Sequence, residues 1–199
     1  MMDNIYKLKG KDLITIGIFS AVYFVINFAF MILGGIHPVL WILMPGFIAL
    51  FTGVPFMMLA AKVQKPWVIA LMGLITALIY FATGQFTIVI LVTFVISCVL
   101  AEVVRYTTKF NSYTGNSIAF AVFSIGMTGS PLPIWLFHDS FISQITEQGM
   151  PTNYILALEK ISSPTMLIIM FVAPIIGALI GTLIAKVMMR KHFVKAGLL

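Results

Sequence analysis

Charged side chains are scarce in this chain. Its 199 residues include 12 Lys and Arg and six Asp and Glu, which is 9% of the total. A typical soluble domain is about 25% charged and about 45–50% apolar. Here 61% of the residues are hydrophobic, and the mean hydropathy is +1.09. This composition excludes a water-soluble globular domain.

The charges are clustered, so that long stretches contain no Asp, Glu, Lys or Arg. Four such stretches cover residues 13–61, 66–101, 110–138 and 161–185. A transmembrane helix needs about 20 apolar residues, so the first two stretches are each long enough for two spans and the last two for one. We therefore predict one all-α membrane domain over residues 1–199. Its six helices are expected at about 12–33, 39–61, 67–83, 86–106, 116–136 and 164–188.

The basic residues predict the orientation, because cytoplasmic segments of membrane proteins are enriched in Lys and Arg. If both termini are cytoplasmic, every Lys and Arg except Lys160 lies on the inner side. This distribution favours an even number of spans with the N- and C-termini cytoplasmic. The formal charge of +6 then reflects topology, and no nucleic-acid partner is expected.

Several chemical signatures are missing. The sequence has no Walker A motif and no His-Glu-x-x-His motif, and its single cysteine, Cys98, lies within a predicted span. Ser130 and His138 have no neighbouring motif that would activate a hydrolase dyad. We therefore expect no enzyme, no catalytic residue, no metal and no cofactor. The predicted spans also lack a charge at mid-membrane depth, which ion-driven transporters usually need, so energy is expected to come from other chains.

Polar and aromatic side chains gather toward the predicted outer side, where the longest connection, 138–163, reads as a polar loop that covers a cavity. Such residues suit a small, polar, aromatic ligand. The candidate substrate-binding residues are Asn27, His37, Trp41, Tyr80, Gln85, Trp135, His138, Asp139, Asn153 and Tyr154. Trp41 alone is also explained by the aromatic belt of a membrane protein.

Small residues recur at helical spacing in the first and last predicted helices. Residues four apart share a helix face, and small ones allow another helix to approach closely. In the last helix, Gly177, Gly181 and Ala185 are expected to pack within the bundle. In the first helix, Gly17, Ser20 and Ala21 fit either internal packing or an external partner. At the inner end of the fourth helix, Glu102 and Arg105 are spaced to form a structural ion pair.

The stretch 11–23, KDLITIGIFSAVY, resembles the start of the Trep_Strep group of S components, the substrate-binding subunits of energy-coupling factor (ECF) vitamin transporters. The region 45–62 is also similar. The resemblance implies a multi-pass subunit of a bacterial plasma membrane that captures a vitamin or vitamin precursor from outside. It further implies two kinds of partner, a transmembrane coupling subunit and two cytoplasmic ATPases, and a subunit that topples in the bilayer to release its substrate.

The resemblance also carries expectations for particular residues. S components contact the coupling subunit through an Ala-x-x-x-Ala pattern on the first helix, and here the matching positions are Gly17 and Ala21, of which the first departs from Ala but stays small. Their substrate lies in the outer half, and this group is associated with hydroxymethylpyrimidine-like or pyridoxine-like compounds. Three alternatives remain open. One is a carrier or channel that works alone, which would transport without ATPases. Another is a small membrane enzyme, which would turn over without partners, and the last is an assembly or scaffold role.

Overall fold

The structure, a computed structural model, describes residues 7–82 and 87–190, and these residues form an all-helical bundle. The helices are α1 (Gly10–Gly34), α2 (Pro38–Lys62), α3 (Val68–Ala82), α4 (Ile88–Thr107), α5 (Tyr113–Ile125), α6 (Pro133–Leu136), α7 (His138–Glu147), α8 (Thr152–Ile161) and α9 (Pro164–Met188).

Four of these helices, α1, α2, α4 and α9, are long and apolar enough to cross a membrane, and α3 is a shorter apolar helix of 15 residues. The chain is therefore a multi-pass membrane protein with an all-α fold. The predicted helices at 12–33, 39–61 and 164–188 agree with α1, α2 and α9 to within a few residues. The count of six spans and the cytoplasmic position of the termini stay predictions.

The predicted continuous helix at 116–136 is wrong. Helix α5 ends at Ile125, a short 3-10 turn covers Gly126–Gly129, and α6 begins only at Pro133. Proline lacks the N–H that a helix interior needs, and the sequence places Pro131 and Pro133 directly after the turn. The hydroxyl of Thr93 on α4 donates to the carbonyl of Gly126 at 2.9 Å, which gives a partner to a backbone group at the break.

The connection 138–163 is also not the predicted loop, because most of it forms two short helices. Phe137 directly precedes α7, and Phe141 and Ile145 lie within it. These apolar residues are four positions apart, so one face of the helix is apolar. Gly149, with a φ of +80°, lies between α7 and α8 in the left-handed conformation that glycine adopts readily. The two helices pack over a small apolar cluster that includes Ile42, Ile134 and Met170.

Helices α2 and α9 are in close contact, and glycines let their two backbones touch. A Cβ atom added to Gly53 would lie 2.7 Å from the Cα of Gly181, and one added to Gly181 would lie 2.6 Å from the carbonyl oxygen of Leu50. Gly177 and Ala185 are buried on the same face of α9. The prediction that these small residues pack within the bundle is confirmed.

Charged residues hold together one end of the bundle, here called the charged end. Arg105 is fully buried, pairs with Glu102 at 3.6 Å, and donates to the carbonyls of Val63 (3.2 Å) and Lys65 (3.4 Å). Glu102 in turn accepts from the backbone N–H of Ile69 at 2.6 Å, in the first turn of α3. The predicted ion pair is therefore confirmed, and it fixes the α2–α3 connection.

Candidate functional site

A cavity of about 760 Å³ opens at the opposite end of the bundle, here called the cavity end. It lies between the C-terminus of α1, the N-termini of α2 and α4, the segment after α5, and the helices α7 and α8. None of the described residues that line it is charged. Its polar lining comes from hydroxyl, amide, indole and phenol groups, namely those of Thr87, Ser130, Ser140, Gln144, Gln148, Trp41 and Tyr154.

Trp41 is the organising side chain of the cavity wall. Its indole lies parallel to the ring of Phe141 on α7, with 5.6 Å between the ring centroids and 5° between the planes. Its Nε1–H donates to the hydroxyl oxygen of Ser130 at 3.3 Å. These contacts join α2, α7 and the segment after α5, so Trp41 connects three separate parts of the chain at one point in the wall.

Tyr154 fastens helix α8 to the end of α1. Its hydroxyl donates to the carbonyl of Gly34 at 2.9 Å, one of the carbonyls that the end of a helix leaves without an intrahelical partner. Burial raises the pKa of Tyr154 to about 12. The phenol is protonated at neutral pH, as an ordinary tyrosine is, and it donates in this bond. The α7–α8 pair is thereby held beside the cavity.

Of the predicted substrate-binding residues, Trp41 and Tyr154 line the cavity. Asn27 and Tyr80 are buried within the bundle: the amide of Asn27 donates to the carbonyl of Tyr23 at 2.9 Å and accepts from the Tyr80 hydroxyl at 3.3 Å. This pair joins α1 to α3. An amide in an apolar interior needs such partners, and the described lining of the cavity does not include either residue.

The other predicted residues lie around the cavity rather than in its described lining. His37 is exposed and caps α2 by accepting from the N–H of Val39 at 3.2 Å. Trp135 donates to the carbonyl of Ser163 at 3.3 Å. His138 and Asp139 form an exposed pair, with 3.1 Å between Nδ1 and Oδ1, and Asn153 is exposed at the start of α8. Gln85 lies outside the described residues.

Sequence reasoning missed the contribution of α7 and the placement of Ser130. Phe141 and Ile145 line the cavity from one face of α7, and Gln148 lines it directly after the helix. Their spacing of four and three residues is a helical signal within the segment that the sequence predicts as a loop. Ser130 hydrogen bonds to Trp41, while the described partner of His138 is Asp139. The described contacts therefore do not assemble a Ser130–His138 dyad.

The small residues of α1 divide between two surfaces. Ser20 is buried, and its hydroxyl bonds to the carbonyl of Ile16 at 2.7 Å. A Cβ atom on Gly17 would meet no atom within 4 Å, and Ala21 is exposed. Large apolar side chains surround this open surface, among them Ile14, which is 66% exposed, and Ile18, which is 58% exposed. Within the described chain, Gly17 and Ala21 thus have no helix packed over them.

Comparison with known proteins places the chain in a family. Residues 10–195 match the Trep_Strep family, described as hypothetical bacterial integral membrane proteins, and the chain belongs to this family. This match confirms the Trep_Strep family, while the role of an S component stays a prediction. No curated protein and no solved structure matches it.

Proposed function

We propose that this Trep_Strep protein is the substrate-capturing S component of an ECF-type importer. In this proposal the cavity binds a small vitamin or vitamin precursor from outside the bacterial cell. A transmembrane coupling subunit and two cytoplasmic ATPases then drive its delivery inward. The observation that carries the proposal is the uncharged, aromatic and polar cavity at the end of the bundle away from the buried Arg105.

The chemistry of the cavity supports a neutral ring as the ligand. A charged ligand in a closed site needs an opposite charge or several hydrogen bonds to replace its lost hydration, and the described lining offers no charged group. The parallel rings of Trp41 and Phe141 offer an aromatic surface, and the surrounding hydroxyls and amides supply directional contacts. Hydroxymethylpyrimidine-like and pyridoxine-like compounds fit this description.

The placement of charges supports a partner as the energy source. The acidic and basic groups of the long helices, such as Asp12, Glu102 and Arg105, lie toward the ends of those helices, and the described spans have none near their middle. Proton- and ion-driven carriers usually place a charge there. The open surface at Gly17 and Ala21 supplies a place where a helix of another chain fits closely.

Replacing Trp41 with Ala is expected to weaken binding of hydroxymethylpyrimidine or pyridoxine about tenfold or more. An aromatic contact contributes about 0.5–1.5 kcal/mol beyond the area it buries, and 1.4 kcal/mol corresponds to a factor of ten. Binding is measured by isothermal titration of the purified chain in lipid nanodiscs, with thermal unfolding as the check that the variant folds.

Trp67→Ala is the matched control, because Trp67 lies at the charged end and is 68% exposed. It removes the same ring and is expected to leave the dissociation constant unchanged. Equal affinities for the wild type, Trp41→Ala and Trp67→Ala would contradict the placement of the substrate in the cavity.

A further inference from the structure

The position of Ser130 in the cavity wall is set by the break after α5. Gly129, which precedes Ser130, packs closely against α4: a Cβ atom added to Gly129 would lie 2.8 Å from the Cα of Ile90. The backbone N–H of Ser130 donates to the carbonyl of Met127 at 3.2 Å, and Pro131 follows directly. The backbone therefore holds the Ser130 side chain at one place in the wall.

The direction of hydrogen bonding at Ser130 follows from its partner. An indole nitrogen is a donor only, whereas a hydroxyl has one proton to donate and two lone pairs that accept. Because Trp41 donates to Ser130, the Ser130 oxygen is the acceptor in this bond and keeps its own proton. Among the described residues, no acceptor for that proton is found.

Trp41 is itself held in position, since its ring lies parallel to that of Phe141. The hydroxyl oxygen of Ser130 is consequently held in place before any ligand arrives, with one lone pair occupied and its proton able to turn toward an acceptor in the cavity. A hydroxyl held in this way recognises a ligand that carries a hydrogen-bond acceptor. A ligand without an acceptor atom would leave the hydroxyl proton without a hydrogen-bond partner when it binds.

We propose that Ser130 is a specificity-determining hydrogen-bond donor of the cavity and that it selects uncharged ring compounds with an acceptor atom at the ring. A ring nitrogen is such an atom. The inference rests on the proposed function, namely that this cavity holds the substrate. The inference adds that Ser130 is the residue that discriminates among ligands, and that Ser130 donates the hydrogen bond which the ligand accepts.

The test uses two compounds of nearly the same shape, pyridin-3-ylmethanol and benzyl alcohol, which differ by one ring nitrogen. Their dissociation constants are measured by ligand-observed NMR with the full chain in nanodiscs, and empty nanodiscs correct for partitioning into lipid. The wild type is expected to bind the pyridine compound about tenfold more tightly. Ser130→Ala is expected to abolish this preference, and Ser130→Thr, which keeps the hydroxyl, is expected to retain it.

Ser143→Ala is the matched control, because Ser143 is an exposed hydroxyl on α7 that the described cavity lining does not include, and this change should leave the preference unchanged. Thermal unfolding shows that each variant is folded. A preference that persists in Ser130→Ala, or its absence from the wild type, overturns this inference and leaves the proposed function in place. If the wild type binds none of the four compounds, namely pyridin-3-ylmethanol, benzyl alcohol, hydroxymethylpyrimidine and pyridoxine, the proposed function is overturned together with the inference.

Discussion

Replacing Gly53 with Leu is expected to prevent the bundle from folding. The Cβ atom alone would lie 2.7 Å from the Cα of Gly181, closer than side chains approach a neighbouring backbone, and Leu adds three more carbons beyond it. Overpacking a core costs about 1–3 kcal/mol, and more where no flexible side chain can yield. Here the obstacle is the backbone of α9, so we expect a loss above about 3 kcal/mol.

The measurement is size-exclusion chromatography and thermal unfolding of the purified variant, with Gly17→Leu as the matched control. Both changes add the same side chain to a glycine of a long helix, but Gly17 has open space around it. Gly17→Leu is expected to unfold at the wild-type temperature, while Gly53→Leu yields aggregated protein. A normally folded Gly53→Leu variant would show that α2 and α9 are not in backbone contact.

The second large effect is expected on assembly and not on folding. The double variant Gly17→Leu, Ala21→Leu places two bulky side chains on the open surface of α1, where small residues allow a partner helix to approach. We expect the variant to bind its ligand normally and to lose co-purification with the coupling subunit. Uptake of radiolabelled hydroxymethylpyrimidine or pyridoxine by cells should fall to the level of cells without the ATPases.

Ala29→Leu controls for added bulk on the same helix, because Ala29 is exposed two turns nearer the cavity end. This control is expected to keep both assembly and uptake. Wild-type uptake by the double variant would contradict a coupling role for the open surface of α1, and a loss of ligand binding would instead place that surface in the substrate site.

The sequence predicts the long helices well, since each coincides with an uncharged apolar stretch bounded by charge or by turn residues. It also predicts the glycine contact of α9, because Gly177, Gly181 and Ala185 recur at the spacing of one helix face. The break after Ile125 was missed because the segment 126–136 contains no charged residue and lies within the uncharged stretch 110–138 from which the span was predicted. The absence of charge does not distinguish such a segment from a helix, although Gly129, Pro131 and Pro133 are signals of interruption.

The cavity was predicted less completely than the fold. Trp41 and Tyr154 were found because aromatic residues with a polar group stood out near the predicted outer turns. Ser130 was considered only as a nucleophile, and its contact with Trp41 joins residues that are 89 positions apart. Asn27 was expected near the ligand, yet the structure pairs it with Tyr80 on α3. The sequence cannot distinguish these outcomes, because each depends on how distant helices face one another.

The most direct test of the proposed function compares binding with transport. The purified chain is reconstituted in liposomes with and without the coupling subunit and the two ATPases, and uptake of radiolabelled hydroxymethylpyrimidine and pyridoxine is followed with ATP inside. We predict that the chain alone binds one of these compounds but accumulates none, and that accumulation requires all the partners together with ATP. Accumulation by the chain alone would contradict the proposal and would identify a self-sufficient carrier.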